Sequence, residues 1–268
     1  MQRQLKLHVL GTGSKGNASI VEDARTGRGV LIDCGICKRD FFAACDEAGF
    51  DPAALDAIFI THEHTDHTKG LGVVLRGFRK LGIEAPALYV HDDVLNASAD
   101  LIALGDLADI RSLRLGESVR AGGLDVLPFE TSHDAASSCG FRVESDDDAL
   151  GFMTDTGIVT GAAHEALQRV RILALESNHD LRMLDAGPYP YAVRKRIASA
   201  RGHLNNEQAA EELATLLSDE LEQVVAMHIS ENNNTYRLPA QTLASVVERE
   251  GAQVAVQAGY QKRLVSVG

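Results

Sequence analysis

The sequence has few aromatic residues, 5% of its 268 residues, and it contains no tryptophan. This scarcity argues against an extended surface on which nucleic-acid bases could stack. The sequence also lacks any apolar run near the roughly 18 residues that span a bilayer, and residues 1–7 lack the apolar core of a secretion signal. We therefore expect a cytoplasmic protein that makes no contact with a membrane.

Cysteine is scarce as well, and the chain contains four cysteines: Cys34, Cys37, Cys45 and Cys139. A chain of this length can bury a hydrophobic core without disulfide bonds, so we expect free thiols. The Cys34-x-x-Cys37 spacing has neither a surrounding βαβ pattern nor a second Cys-x-x-Cys pair. It therefore indicates incidental thiols rather than a redox pair or a structural zinc site.

Basic residues are outnumbered, with 26 against 38 acidic residues, and the net charge is −12. Such a protein repels polyanions at long range, so nucleic-acid binding requires a local basic patch or a bound metal ion. One segment, 182–203, has a local excess of basic residues, namely Arg182, Arg194, Lys195, Arg196 and Arg201. We predict that Arg194 and Arg196 bind a phosphate backbone there; the alternative is a solvated helix face.

Short apolar runs and helical segments continue along the chain without a break in composition, which indicates a single domain over residues 1–268. Many short strands with interspersed helices fit two sheets packed face to face with helices outside. Strands are predicted at residues 5–9, 18–22, 29–33, 57–61, 87–90, 124–129, 140–144, 149–154, 171–176, 223–227 and 253–257. Helices are predicted at residues 39–48, 69–81, 92–103, 162–169, 189–200, 206–218 and 239–250. The acidic run 146–148 is predicted to form the tip of a hairpin.

The strongest local signal is a histidine-rich segment, His62-Glu63-His64-Thr65-Asp66-His67, which follows the apolar run 57–61. Imidazole and carboxylate groups are ligands for borderline divalent cations, and a loop can bring alternate side chains to one point. The segment differs from the His-Glu-x-x-His motif of metalloproteases, because Asp66 stands four residues after His62. We predict a metal site, with Glu63 pointing away from it; a solvated histidine-rich loop is the alternative.

One loop cannot supply the ligands of two metal sites, so further ligands are expected at the ends of later strands. Three candidates follow predicted strands: His133, Asp155 and His228. Each of them alone is more often a hydrogen-bonded polar residue of the core or the surface. Together with the histidine-rich segment, they favour a metal centre at which several strands end.

The segment Gly11-x-Gly13-x-x-Gly16 matches the dinucleotide-binding fingerprint, and Asp33 lies about where a ribose-binding acid would stand. Residues 18–22 predict a strand rather than a helix, so no helix N-terminus is available to receive a pyrophosphate. We therefore interpret the segment as a tight turn. Ser14 and Asn17 are candidates to line the mouth of an active site.

The order of these motifs over almost the whole chain resembles the metallo-β-lactamase superfamily. A strand end that contains Asp33 is followed by the histidine-rich segment, a single histidine, an aspartate and a late histidine. The resemblance implies an α+β fold, a four-layer αββα sandwich with two divalent metal ions, Zn or Mn, at one edge of the sheets. It implies these ligands: His62, His64 and His133 for the first ion, Asp66, His67 and His228 for the second, and Asp155 as a bridge.

Shorter segments resemble the YycJ/WalJ-like branch of this superfamily, whose members are exonuclease-type hydrolases. These segments are GTGSKGN (11–17), ESNHD (176–180), GHLNN (202–206) and HISENNN (228–234). The fourth residue of GHLNN is asparagine where the branch leads us to expect serine.

This resemblance implies hydrolysis of phosphodiester bonds, with DNA ends as the expected substrate, by a hydroxide that bridges the two metal ions. Asp66 is expected to orient this hydroxide and His203 to donate a proton to the leaving oxygen, with His179 as a further catalytic candidate. Ser14 and Asn178 are candidates for binding the substrate. Two alternatives stay open: hydrolysis of a small ester, thioester or cyclic phosphodiester at the same site, and a non-hydrolytic metal-binding or redox protein.

Overall fold

Two seven-stranded β-sheets form the framework of this computed structural model, which describes residues 4–268. The strands are β1 (Leu5–Gly11), β2 (Ala18–Asp23), β3 (Arg28–Ile32), β4 (Leu55–Phe59), β5 (Ala87–Val90), β6 (Ile110–Ser112), β7 (Val119–Ala121), β8 (Leu124–Glu130), β9 (Cys139–Ser145), β10 (Asp148–Met153), β11 (Ile172–Glu176), β12 (Gln223–Met227), β13 (Ala255–Ala258) and β14 (Val265–Val267). The first sheet has the order β14-β1-β2-β3-β4-β5-β6, and the second has the order β13-β12-β11-β10-β9-β8-β7.

Helices cover the outer faces of both sheets. They are α1 (Lys38–Ala48), α2 (Thr65–Thr68), α3 (Leu71–Leu81), α4 (Asp92–Ala97), α5 (Ala99–Ile102), α6 (Gly161–Leu167), α7 (Leu181–Ala186), α8 (Tyr191–Ile197), α9 (Asn206–Leu216) and α10 (Arg237–Arg249), with short 3-10 helices at Pro52–Ala54 and Ala103–Asp106. Buried side chains of α1 and α3 pack on the first sheet, and those of α6, α9 and α10 pack on the second. The predicted four-layer αββα sandwich is confirmed. Within residues 4–268, no helix has the length and apolar character needed to cross a membrane.

The alternation of side chains along each strand separates an inner core from two outer ones. In β4, Ala57 and Phe59 belong to the inner core between the sheets, whereas Ile58 joins the cluster beneath the helices. The Phe59 ring meets the ring of Phe141 in β9 edge to face, with the centroids 5.6 Å apart. Because both faces of such a strand are covered, its sequence is apolar almost throughout.

The sequence-based prediction of the elements is wrong in a few places. It missed the helices α2 and α7 and three strands, β6, β7 and β14; each of these strands has three residues and lies at the edge of a sheet. Three residues are too few to show a period. The predicted helix 92–103 is divided at Ser98, whose hydroxyl accepts the amide of Leu101 and begins a second helix. The acidic run 146–148 does form a hairpin tip between β9 and β10.

Two smaller predictions are confirmed. All four cysteines are free thiols, and burial raises the pKa of Cys45 to about 12. The strand β2 follows the glycine-rich segment directly, so no helix begins there. The single domain over residues 1–268 and the absence of a secretion signal in residues 1–7 stay predictions, since both include residues 1–3, which lie outside the described residues.

The carboxyl ends of several strands lie at one edge of the sandwich. In the first sheet β3 and β4 are parallel, and in the second sheet β10, β11 and β12 are parallel. Side chains that follow neighbouring parallel strands meet in the crevice beyond these ends. Asp33, His62, Asp155 and His228 all stand one to three residues after such strand ends.

The opposite edge of the second sheet contains a buried ion pair between Asp148 at the start of β10 and Arg171 just before β11. Nε and Nη2 of Arg171 donate to the Asp148 carboxylate at 2.9 and 2.7 Å. Asp148 Oδ2 also accepts the amides of Gln4 and Leu5, which connects β1 of the first sheet to the second. Burial alone would raise the pKa of Asp148, but hydrogen bonds from Arg171 and from these amides hold it below its usual range.

We expect Asp148→Asn to lower the free energy of unfolding by about 3 kcal/mol, because it removes the carboxylate that is hydrogen-bonded to a buried guanidinium and leaves only Glu222, at 3.7 Å, to face it. The measurement is urea denaturation at pH 7, with Asp147→Asn at the exposed tip of the same hairpin as the control. In the wild type, this stabilisation is present above about pH 4 and is lost as the pH falls through the lowered pKa of Asp148. Equal unfolding midpoints for the two variants would contradict this role.

Candidate metal centre

The histidine-rich segment after β4 turns into a single helical turn, α2, which separates its side chains into two groups. His62 and His64 precede α2, whereas Asp66 and His67 lie on it. The His62 ring is fully buried, and its centroid lies 4.5 Å from that of His64 and 4.2 Å from that of His67. The Glu63 carboxylate points away, as predicted, and accepts a backbone amide from the loop after β8 at 2.8 Å.

The second sheet contributes the three other predicted ligands, each shortly after a strand. His133 follows β8, Asp155 follows β10 and His228 follows β12. Asp155 and His228 have left-handed backbone conformations, with φ of 56° and 51°, as does Asp33 with φ of 57°. Such a conformation costs a non-glycine residue roughly 1–2 kcal/mol. Strain of this kind persists where the surrounding structure enforces it, often at functional sites.

All seven predicted ligands converge on one volume. Their ligand atoms fall into groups in which all atoms lie within 4.8 Å of one another: His62, His64 and His133; Asp66, His67 and His228; His62, His67 and Asp155; and Asp155, Glu176, His203 and His228. Asp155 connects these groups. Its Oδ2 lies 3.3 Å from His67 Nε2, and its Oδ1 lies 3.7 Å from Nε2 of both His133 and His228.

The donor atoms of this centre fit divalent metal ions. Imidazole nitrogens and carboxylate oxygens, without a thiolate, suit zinc and manganese alike. Two of the atoms, His62 Nε2 and Asp155 Oδ2, are buried and have no hydrogen-bond partner among the residues described. Because buried polar atoms are normally hydrogen-bonded, such atoms at the centre of a ligand cluster are as expected for groups that coordinate an ion.

Hydrogen bonds from neighbouring groups orient the imidazole rings. His67 Nδ1 lies 2.7 Å from Asp33 Oδ2, and His133 Nδ1 donates to the carbonyl of Gly202 at 3.0 Å. In both rings Nδ1 is therefore engaged, and Nε2 is the nitrogen that faces the Asp155 carboxylate.

The charges in the centre shift the pKa values of its members. Burial would lower the pKa of His228, but the Asp155 and Asp66 carboxylates raise it to about 10. The same competition raises the pKa of His67 well above its usual value. Burial and the neighbouring imidazoles lower the pKa of His62. The carboxylates thus create a negative field around the second ligand group, which consists of Asp66, His67 and His228. A bound cation would neutralise this field, as protonated imidazoles do.

The sequence analysis missed Glu176, the last residue of β11, which is fully buried beside the centre. Its Oε1 lies 2.8 Å from His203 Nδ1 and 3.3 Å from His228 Nδ1, and its Oε2 accepts the amide of Thr156 at 2.9 Å. Burial would raise the pKa of Glu176, but His203 and His228 hold it far below its usual range. An acidic residue at a strand end was the signal that could have found it.

A cavity of about 360 Å³ opens onto the centre and is lined by five of the seven predicted ligands. Its other lining residues are Ser14, Asp134, Val193, Arg196, Ile197, Gly202 and His203. The structure therefore brings Ser14, Arg196 and His203, which are three of the predicted substrate-binding and catalytic residues, to the cavity, and their roles stay predictions.

Of the residues predicted to be catalytic or to bind the substrate, three do not line this cavity: Asn178, His179 and Arg194. His179 is fully buried, and burial lowers its pKa to about 4. Asn178 lies behind a predicted ligand and donates from Nδ2 to the carbonyl of His228 at 2.7 Å. The catalytic role of His179 and the substrate-binding roles of Asn178 and Arg194 stay predictions, which no contact in the cavity supports.

The basic segment 182–203 is partly neutralised within the molecule. Arg194 is bound to an acidic residue on α7, and Arg196 pairs with Asp134 at the cavity. Arg201 donates to two carbonyls of the loop after β8. Of these three arginines, Arg196 alone borders the cavity.

The fold and the histidine–aspartate centre together define a class of protein. Residues 28–229 match a family model described as a beta-lactamase superfamily domain, and the chain therefore belongs to the beta-lactamase superfamily. The metallo-beta-lactamase fold protein YhfI from Bacillus subtilis has a similar structure, with a TM-score of 0.72 at 15% identity over 98% of this chain and 100% of that chain. The predicted resemblance to the superfamily and its fold is confirmed.

Two curated relatives are similar over almost the whole chain. Exodeoxyribonuclease WalJ from Streptococcus pneumoniae (serotype 2, strain D39) is 30% identical over 253 residues, 94% of this chain and 91% of the relative. Exodeoxyribonuclease YycJ from Bacillus anthracis is 31% identical over 247 residues, 92% of this chain and 90% of the relative. These matches confirm the predicted resemblance to the YycJ/WalJ-like branch.

We expect Zn²⁺ or Mn²⁺ to raise the melting temperature of the chelator-treated protein, because an ion that binds only the folded state stabilises that state. At an ion concentration 100 times the Kd, the free energy of unfolding rises by about 2.7 kcal/mol. Thermal melts with and without metal measure the shift. Asp155→Ala should lose most of it, whereas His164→Ala, on the outer helix α6, should keep it. An unchanged melting temperature in the wild type would count against a metal centre.

Proposed function

We propose that this protein is a metal-dependent phosphodiesterase that removes nucleotides from DNA ends, and thus an exodeoxyribonuclease. The observation that carries the proposal is the position of the Asp155 carboxylate, which lies within 3.7 Å of ring nitrogens of His67, His133 and His228. This position joins the two ligand groups into one centre beside a cavity. The relatives named exodeoxyribonuclease support DNA as the substrate.

The proposed centre holds two divalent ions, zinc or manganese, which its nitrogen and oxygen donors suit equally. The proposed ligands are His62, His64 and His133 for the first ion, Asp66, His67 and His228 for the second, and Asp155 between them. Bound ions of this kind supply a hydroxide near neutral pH and offset negative charge on the phosphoryl oxygens. The remaining steps belong to side chains of this protein.

Asp66 orients the attacking water. Its carboxylate lines the cavity, and its Oδ2 lies 3.5 Å from Nε2 of both His67 and His228. Burial would raise the pKa of Asp66, but hydrogen bonds with these imidazoles and their positive charges hold it well below its usual range. The carboxylate therefore stays ionised, and it accepts hydrogen bonds rather than donating them.

His203 donates a proton to the leaving oxygen. Its Nδ1 is engaged by Glu176 Oε1 at 2.8 Å, so Nε2 is the nitrogen that is left for the substrate. The side chain of His203 is 19% exposed and lines the cavity, whereas Glu176 is fully buried. A buried carboxylate in this position holds the ring in one orientation, as the aspartate does in serine-protease triads.

Arg196 and Ser14 bind the phosphate backbone at the mouth of the cavity. The Arg196 side chain is 65% exposed and pairs with Asp134, whose carboxylate a phosphate group would replace. Ser14 is exposed on the glycine-rich loop and offers a hydroxyl at the same cavity. Arg194 is directed to α7, so its contribution is expected to be small.

Two other functions follow less well from the site. Hydrolysis of a small ester, thioester or cyclic phosphodiester requires no basic side chain outside the centre, whereas Arg196 at the cavity suits a polyanion. A non-hydrolytic metal-binding or redox protein has no use for a histidine supported by a buried glutamate beside the metal ligands.

The direct test is degradation of single- and double-stranded DNA that carries a label at one end, in the presence of Zn²⁺ or Mn²⁺. We expect progressive shortening from an end, arrested by a chelator and absent in Asp155→Asn. Hydrolysis of a thioester or of bis(p-nitrophenyl) phosphate without degradation of DNA would refute the DNA assignment. Metal binding without hydrolysis of any of these substrates would refute the proposal that the protein is a hydrolytic enzyme.

His203→Ala should retain the metal content of the wild type but lower kcat on DNA by about 10²–10⁴-fold, because it removes the general acid. Glu176→Gln should lower kcat in the same direction. Steady-state kinetics with metal analysis measure both effects. Bis(p-nitrophenyl) phosphate, whose leaving group needs no proton, should be affected much less. If His203→Ala loses metal, the residue is a ligand and its assignment as the acid is wrong.

Arg196→Ala should raise KM for DNA by about tenfold, which corresponds to one charged hydrogen bond of roughly 1.5 kcal/mol. Its turnover of bis(p-nitrophenyl) phosphate should hardly change, because that substrate has no extended backbone. Arg194→Ala, two residues away on α8 and outside the cavity, is the matched control. Equal increases in KM for the two variants would contradict the proposal that Arg196 binds DNA because it lies at the cavity.

A further inference from the structure

The loop that connects β1 and β2, residues 12–17, lies against the second ligand group. The backbone amide of Asn17 donates to the carbonyl of Asp66 at 2.8 Å. A Cβ atom on Gly35 would lie 1.6 Å from the same carbonyl, so this close approach requires glycine at position 35. The amide of Gly35 in turn donates to the carbonyl of Asn17 at 2.7 Å. Asp66 is therefore held tightly against the loop.

The Asn17 side chain is buried and is directed at the ligands themselves. Its Nδ2 lies 3.1 Å from His67 Nε2, 3.4 Å from Asp66 Oδ2 and 3.2 Å from the carbonyl of Gly13. Its Oδ1 accepts the amide of Gly13 at 2.9 Å, and since that amide can only donate, the orientation of the Asn17 side chain is defined. A neutral amide restrains the Asp66 carboxylate without cancelling the charge that attracts a cation.

Thr12 extends this network to the third ligand of the group. Its hydroxyl donates to Asn17 Oδ1 at 3.1 Å and accepts the backbone amide of His228 at 2.9 Å. The loop is thus hydrogen-bonded to Asp66 and His228, and its Asn17 side chain lies beside His67. Within residues 4–268, no hydrogen bond connects it to the ligands of the first group, which are His62, His64 and His133.

We propose that Asn17 and Thr12 are positioning residues for the second metal ion, because they are hydrogen-bonded to Asp66 and His228 and make no hydrogen bond to the ligands of the first ion. This inference rests on the two-ion centre of the proposed function. Partners that orient metal ligands commonly change metal affinity by about 10–100-fold when they are removed. The expected effect is therefore a selective loss of affinity for one of two ions.

The test is calorimetric titration of the metal-depleted full chain with Zn²⁺, with elemental analysis of the ions bound per chain. Asn17→Ala removes the side-chain amide, and Thr12→Val removes the hydroxyl while it preserves the shape of the side chain. Two further variants are controls. Thr12→Ser keeps the hydroxyl group, and Lys15→Ala changes an exposed side chain of the same loop. Urea unfolding midpoints verify that the variants are folded.

We expect two ions in the wild type and in both controls. In Asn17→Ala and Thr12→Val the affinity for one ion should be unaffected, and the affinity for the other should fall about 10–100-fold. Unchanged affinity for both ions in the two variants would overturn the inference. Equal weakening of both ions would also overturn it, since that result indicates a general effect on the fold.

Activity measurements separate this inference from the proposed function. If the wild type binds two ions but degrades no DNA, the proposed function fails, and the titrations still decide the roles of Asn17 and Thr12. If the wild type degrades DNA and both variants keep two ions at unchanged affinity, the inference alone fails. A wild type that binds fewer than two ions would overturn this inference and the two-ion centre, whereas the degradation of DNA would still be decided by its own assay.

Discussion

The buried carboxylate of Asp155 is the group around which the centre of this molecule is arranged. It is 2% exposed and lies within 3.7 Å of ring nitrogens in four imidazoles, those of His67, His133, His203 and His228. An ionised carboxylate is costly to bury unless positive groups face it. The neighbouring imidazoles lower the pKa of Asp155 and so stabilise its ionised form there, and a cation bound between them would add to this effect.

The layered fold satisfies this requirement through the ends of its strands. Residues after parallel strands of both sheets meet at one edge, and the backbone takes left-handed conformations at Asp33, Asp155 and His228 to direct their side chains. At the opposite edge the Asp148–Arg171 pair connects the start of β1 to the second sheet. Rigid packing between the sheets therefore supports a site in which small displacements would separate the ligands.

Much of this arrangement could be predicted from the sequence. The αββα layers follow from many short apolar strands with helices between them, and the ligands follow from residue type at strand ends. The strands β6, β7 and β14 could not be predicted, because three residues at a sheet edge show no periodicity. Their pairing depends on neighbouring strands that are distant in the sequence.

At the site, too, some features could not be predicted because they depend on contacts between residues that are distant in the sequence. Glu176 was missed because a single acidic residue at a strand end has many possible partners, and its contact with His203 crosses 27 positions of the chain. Arg194 and Arg196 are equivalent by composition, but on a helix two residues differ by roughly 200° in direction. Only the packed structure shows that Arg196 borders the cavity and that Arg194 is bound to α7.

The most direct measurement of the central claim is anomalous X-ray diffraction from crystals of the manganese-loaded protein. The account predicts two peaks about 3.5–4 Å apart, on either side of the Asp155 carboxylate. One peak should lie beside His62, His64 and His133, and the other beside Asp66, His67 and His228. A single peak, or peaks remote from Asp155, would contradict it.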